Sequence, residues 1–251
     1  MISSTTNERV KLARSLIHDA KARRKEGKVA LEGVRLIADA LAAGVVPEFV
    51  LYDPDQVNAG VLRTDPRIVW EASAEVMRAI TITEHPQGIV GVFPTPALNV
   101  PMRPRRAVIL DNVRDPGNAG TILRTAAAAG VQVVIFAPGS VDAYNDKVLR
   151  GAMGAHFRIA LRDWDWEHIT TYCKDTVMYL ADMTGDMTYD AADWTDAWSL
   201  IVGGEAEGAS ADAISAAAKR LYIPMAQGTE SLNAGIATAV MLFEAARQGR
   251  G

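Results

Sequence analysis

The chain has 251 residues, 49 % of them hydrophobic and 22 % charged, which is enough for one large or two modest cores and excludes disorder as its overall state. One cysteine, Cys173, excludes an internal disulfide framework and a multi-cysteine metal site, and His18, His85, His156 and His168 lack metal-ligand spacing, so no metal is expected. A net charge of −4 argues against a polyanion partner only if it is evenly spread.

It is not evenly spread. Residues Thr6 to Lys25 carry Val10, Leu12, Ala13, Leu16, Ile17 and Ala20 at helical spacing, with Arg9, Lys11, Arg14, Lys21, Arg23, Arg24 and Lys25 between them. A basic amphipathic helix is expected there, and its charge run fits a solvated face and a polyanion dock equally well. The acids gather after position 160. The alternation continues through strand Val29–Leu31, helix Val34–Ala43 ended by Gly44, strands Phe49–Tyr52 and Ile68–Trp70, helix Ala74–Ile80 and strand Ile89–Phe93. These form a small α/β domain over 1–95. Pro94, Pro96, Pro101 and Pro104 then mark a linker over 96–105.

A second α/β domain is expected over 106–251. Val108 to Leu110 read as a buried strand, Asp115, Pro116 and Gly117 break it, and Thr121 to Ala129 supply helix formers closed by Gly130. Strand Val131–Phe136, helices near Asp146–Met153 and Trp166–Cys173, strands Val177–Leu180, Leu200–Val202 and Arg220–Ile223, and a last helix from about Leu232 to Arg247 follow. Short apolar strands separated by helices indicate a parallel sheet covered on both faces, whose ligands sit beyond the carboxyl ends of the strands. Three glycine-containing loops meet that description: 112–120, 203–208 and 225–233.

The first loop surrounds a helix start with the donors Asn112, Arg114, Asn118 and Arg124, a bias that suits an anionic or hydroxyl-rich partner. In the second, Gly203, Gly204 and Gly208 allow close backbone approach and Glu205 offers an acceptor, but neither a P-loop nor a dinucleotide fingerprint is present. In the third, Gly228 suits a turn, Thr229 or Ser231 a helix cap, and Glu230 the helix mouth. Asn145, Lys147 and Arg150 precede Gly151 and Gly154, a pattern explained by an RNA phosphate and by an ordinary helix end about equally. No apolar run spans a membrane and the first residues lack a signal-peptide core, so a cytoplasmic location is expected.

Together, Asn112-Val-Arg-Asp-Pro-Gly-Asn-Ala-Gly with Arg124-Thr125, Gly203-Gly-Glu-Ala-Glu-Gly, and Ile223-Pro-Met with Glu230-Ser-Leu-Asn233 resemble the three ordered motifs of the SpoU, or TrmH, family of RNA ribose 2′-O-methyltransferases. The Lys11/Arg14 helix, the Arg23-Arg24-Lys25 run, Leu31-Glu-Gly33 and Pro86-Gln-Gly88 resemble that family's N-terminal RNA-binding extension. The resemblance implies an α/β fold, a C-terminal SPOUT domain with a deep trefoil knot, plus a smaller L30e-like α/β domain, assembled as a homodimer. It implies S-adenosyl-L-methionine held by Leu180, Ala181, Gly204, Ile223, Met225, Ser231, Leu232 and Asn233. Arg124, Asn118, Glu205, Ser231 and Asn233 are the implied catalytic set, and Arg14, Arg23, Arg24, Lys25, Lys147 and Arg150 the implied RNA contacts. Ribosomal RNA is favoured over transfer RNA. A catalytically inactive RNA-binding assembly factor is the alternative, and the intact catalytic set argues against it.

Overall fold

The structure, a computed structural model, describes residues 1–250 except 59, 61, 84, 85, 206 and 227–230. The chain divides into two compact units, Met1–Pro96 with Tyr144–Arg150, and Ala97–Ala143 with Gly151–Gly251.

In the first unit a four-stranded sheet has the order β1-β4-β2-β3, formed by β1 (Lys28–Glu32), β2 (Phe49–Tyr52), β3 (Val69–Glu71) and β4 (Ile89–Pro94). β4 is inside the sheet, antiparallel to β1 and β2, and its Ile-Val-Gly-Val-Phe run is buried throughout. Against the sheet lie α1 (Glu8–His18), α3 (Val34–Ala42) and α4 (Ala74–Ile80). α1 buries Val10, Ala13, Leu16 and Ile17, a helical stripe packed with Val76, Met77 and Ile80 of α4 and with Phe49, Leu51, Val90 and Val92.

The single basic helix expected from Thr6 to Lys25 is two. Asp19 takes an extended conformation (φ −129°, ψ 116°) and its carboxylate accepts the Lys21 N–H at 2.8 Å, capping α2 (Ala20–Glu26). Arg23, expected to meet RNA, is buried. Its guanidinium donates to the carbonyls of Leu16 (2.6 Å) and Ile17 (3.1 Å), which the end of α1 leaves without helical partners. Gly33 brings Leu31-Glu-Gly33 against the 86–88 turn. At φ 102° its N–H donates to Ile89 O, and an added Cβ would come within 2.6 Å of the Gln87 side-chain oxygen. Buried Glu32 accepts from the Thr83 hydroxyl at 2.7 Å and the Gln87 N–H at 3.3 Å.

The second unit is built on a seven-stranded sheet with every pairing parallel, in the order β7-β6-β5-β10-β8-β11-β9. Its strands are β5 (Arg106–Asp111), β6 (Val133–Phe136), β7 (Ala160–Asp163), β8 (Val177–Ala181), β9 (Met187–Thr188), β10 (Trp198–Gly203) and β11 (Lys219–Tyr222). Continuous apolar runs in β5, β6 and β10 match strands covered on both faces. Ala107, Ile109, Ile135, Leu180 and Ile201 pack on one face with Ile169 and Cys173 at α7 (Trp166–Tyr172) and Ala213 of α8 (Ala211–Ala216). Leu98 and Val100, from the expected linker, join that core. The alternate residues Val108, Leu110, Leu200 and Val202 point to the opposite face. The helices α5 (Pro116–Ala128) and α9 (Ala234–Gln248) pack on each other, and α9 reaches β10.

β7, β9 and α8 were not expected. β7 and β9 are the sheet edges, where Arg162, Asp163 and a two-residue length remove the apolar signal, and α8 spans under two turns. α6 (Asp146–Ala152) ends one residue before its expected limit.

A buried histidine sets an acid limit on this unit. Burial holds the His156 imidazole down at about 4, while its Nε2–H donates to the Ala143 carbonyl at 2.7 Å and nearby Asp142 pulls weakly upward. Because the unfolded ring protonates near ~6.5 and the folded ring only near about 4, stability is complete at neutral pH and falls as pH drops through that window, by roughly 3 kcal/mol. Urea unfolding at pH 7 and pH 4 should show this loss, and His156→Gln should lack that component.

Candidate active site

β5 delivers the chain to the site through Asp111, fully buried at the strand end. Its carboxylate accepts from the Ser210 N–H (2.6 Å), the Ser210 hydroxyl (3.0 Å) and the Trp166 indole N–H (3.2 Å), pinning the start of α8 and of α7 to one point. Asn112 follows at φ 56°, a left-handed conformation uncommon outside glycine. Two glycines make room for it: a Cβ on Gly204 would overlap the Asn112 carbonyl oxygen, and one on Gly139 would overlap its side-chain oxygen. The residues read as breaking the strand instead open a helix. The Asp115 carboxylate accepts the Asn118 N–H at 2.8 Å and Pro116 is the first residue of α5, where a missing N–H costs nothing.

The 203–208 loop folds back on itself. Gly208 N–H donates to Gly204 O at 3.0 Å, and a Cβ on Gly203 would come within 2.8 Å of the Ala209 nitrogen. The third loop ends at Asn233, whose side-chain oxygen accepts the N–H groups of Gly235 (2.9 Å) and Ile236 (3.3 Å) and caps α9. Asn118 joins all three loops: its amide nitrogen donates to Glu205 and its oxygen accepts from the Asn233 amide at 2.8 Å. Arg114 and Glu207 add a two-bonded ion pair between the first and second loops, at 2.9 and 2.8 Å.

Beside this junction opens a cleft of about 770 Å³ at the carboxyl ends of β8, β10 and β11. Leu180, Val202, Leu221, Ile223, Leu232 and Met241 give it an apolar wall, and Asp182, Glu205 and Glu207 supply carboxylates. Leu180, Ala181, Gly204, Glu205, Ile223, Met225, Ser231, Leu232 and Asn233 therefore line one cavity, as the motifs imply. Asn118 touches that set through Glu205 and Asn233. Arg124 does not line the cleft; it is exposed on α5 and has no hydrogen-bond or ion-pair partner among the described residues. The cap of α9 is Asn233, so the last helix starts two residues later than expected; Ser231 stands on the cleft wall, and Gly228, Thr229 and Glu230 lie outside the described residues.

On the first unit Arg14, Arg24 and Lys25 are exposed, as is Lys147, whereas Arg150 is paired with Asp146. Asp182, Tyr222 and Met241 were missed in the sequence. Asp182 stands one residue past β8, a position that could have marked it, because ligands collect beyond the carboxyl ends of parallel strands. Asn233→Ala should cost about 1 kcal/mol through the lost cap and also free Asn118. The melting temperature and the affinity of the adjoining cleft for its ligand, measured on the same variant, should both fall.

A parallel sheet with three tied loops at its carboxyl edge defines a ligand-binding α/β enzyme fold. The chain belongs to the SpoU rRNA Methylase family, whose model matches residues 105–243; residues 7–91 match the MRM3-like substrate binding domain. It is 32 % identical to human mitochondrial rRNA methyltransferase 3 over 98 % of this chain and 73 % of that protein. It is 31 % identical to the 23S rRNA (guanosine(2553)-2′-O)-methyltransferase of Bacillus subtilis, covering 96 % and 97 % of the two chains. Among solved structures, an AdoMet-bound rRNA methyltransferase from Sinorhizobium meliloti aligns with TM-score 0.83 and 31 % identity over 98 % of this chain and 97 % of that one. The SpoU methyltransferase AviRb from Streptomyces viridochromogenes in complex with AdoMet aligns with TM-score 0.86 and 27 % identity over 96 % and 98 %.

Proposed function

We propose that this chain transfers a methyl group from S-adenosylmethionine to a ribose 2′-hydroxyl of ribosomal RNA. The observation that carries the reading is the meeting of three separated loops through Asn118 beside one cleft. The cleft suits that cofactor: apolar Leu180, Ile223 and Leu232 can flank a purine, glycine backbone at 203–204 admits close approach, and Asp182 and Glu205 can accept from an ammonium or ribose hydroxyls. When bound, the cofactor supplies an electrophilic methyl group.

The protein's residues must position the attacking hydroxyl and take its proton. A guanidinium carries no lone pair free to accept a proton and is a poor base, so Arg124 serves by holding the adjacent phosphate and stabilising negative charge developing on the oxygen. Glu205, oriented by the Asn118 amide, is the protein's candidate proton acceptor. Arg14, Arg24, Lys25 and Lys147 are the remaining candidates for RNA phosphate contacts.

The same reading includes a C-terminal trefoil knot and a homodimer. Supporting the dimer, Arg124 lies outside the lining of its own cleft, and α9 leaves Ile236 and Phe243 about half exposed seven residues apart on one face. Light scattering should give twice the 27.0 kDa chain mass. Tritiated methyl incorporation, followed by mapping of 2′-O-methyl sites, tests the reaction. Label in ribosomal RNA ribose supports it. Label in transfer RNA alone overturns the substrate, and RNA binding without incorporation favours the inactive assembly factor.

A further inference from the structure

The ion pair between Arg114 and Glu207 has no part in the chemistry above, yet it joins the two loops that carry Asn118 and Glu205. Both Arg114 nitrogens engage both Glu207 oxygens, at 2.9 and 2.8 Å, with the side chains 61 % and 57 % exposed. Such an exposed pair contributes little to stability, because water and salt screen it and two long side chains must be held still. It is therefore a poor brace. The loops are already held without it: Asn118 bridges Glu205 and Asn233, and Gly204 is seated on the Asn112 carbonyl.

What the pair does effectively is cover a cation. Arg114 stands one residue before the cap of α5, so its guanidinium shares the mouth of the site with the positive end of a 13-residue helix. A planar guanidinium that binds a carboxylate with two parallel bonds presents the same fork to a phosphate. Glu207 occupies that fork and also lines the cleft.

We propose that Arg114 is a substrate-positioning residue which binds an RNA phosphate next to the target ribose, and that Glu207 is a displaceable stand-in for that phosphate. The proposal rests on the reading of ribosomal RNA as substrate. In the free protein the carboxylate keeps the fork ordered and excludes adventitious anions. When RNA docks, a phosphate exchanges with Glu207, and the carboxylate swings from the first loop at the moment the site is filled.

The test measures binding of unmodified ribosomal RNA, transcribed in vitro from the organism's own genes, to wild type, Glu207→Gln, Arg114→Ala and the double variant across a salt series, with melting curves recorded for each. The expected results are a three- to tenfold tighter Kd for Glu207→Gln, a weaker Kd for Arg114→Ala, and for the latter a slope of log K against log salt reduced by about one, as one lost phosphate contact requires. In the Arg114→Ala background, Glu207→Gln should have less than a twofold effect. A Glu207→Gln gain that persists there reflects general charge and overturns the exchange, as does an unchanged salt slope in a normally melting Arg114→Ala protein. Failure of the wild type to bind this RNA at all overturns the substrate reading itself, and the exchange with it.

Discussion

Arg124→Ala is expected to lower methyl transfer by about 10²–10³-fold, the scale seen when one donor to a developing oxyanion is removed. Affinity for S-adenosylmethionine should stay within about threefold, because Arg124 is absent from the cleft lining and takes no part in the Asn118 junction. Arg124 is exposed and has no partner among the described residues, so its removal leaves no described contact broken; truncating an exposed helical arginine to alanine changes stability by roughly 0.5 kcal/mol or less. Arg124→Lys should rescue only part of the rate, since an ammonium keeps the charge and loses the planar fork. Single-turnover methylation beside calorimetric cofactor binding separates the two effects. Loss of cofactor affinity in step with rate would move Arg124 from phosphate and oxyanion to the cofactor itself.

Gly204→Ala attacks the other half of the site. The added methyl would meet the Asn112 carbonyl, a backbone atom that cannot rotate away, and Asn112 is already held at φ 56° between Gly204 and Gly139. Either the 203–208 loop shifts or β5 and β10 separate at the pair Gly203 and Asp111. Overpacking of this kind costs ~1–3 kcal/mol, or roughly 2–10 °C in melting temperature at this chain length. Displacing the loop by a few tenths of an ångström also moves the cleft wall, and a loss of ~1.4 kcal/mol there is a tenfold weaker cofactor. Cofactor titration and a thermal melt of the same sample check both; an unchanged Kd would show that the loop does not shape the pocket.

The pattern of apolar runs made the second sheet legible because its central strands are covered on both faces and so carry uninterrupted Ala-Val-Ile-Leu and Val-Val-Ile-Phe segments. Edge strands carry no such demand, which is why β7 and β9 escaped notice. Residues with two roles misled most. Asp115 and Pro116 are strand breakers in isolation and a cap and first helical turn in place. Arg23 belongs to a basic run, yet the interruption at Asp19 turns it inward onto the free carbonyls of α1. Contacts distant in sequence were invisible: Asp111 with Ser210, Asn118 with Asn233 and Arg114 with Glu207 span 93 to 115 residues, and only the strand order brings them together. The cleft residues were found because three loops share one edge of one sheet; Arg124, on the body of a helix, is the one whose placement a single chain leaves outside.

A crystal structure of the protein with S-adenosylmethionine bound examines that point most directly. The methyl-bearing sulfur should lie in the cleft bounded by Gly204, Ile223 and Leu232, with an Arg124 guanidinium, from the same chain or a second copy, facing it across the space a ribose would fill. Cofactor seated elsewhere, or both copies of Arg124 directed away from that cleft, would contradict the proposed chemistry.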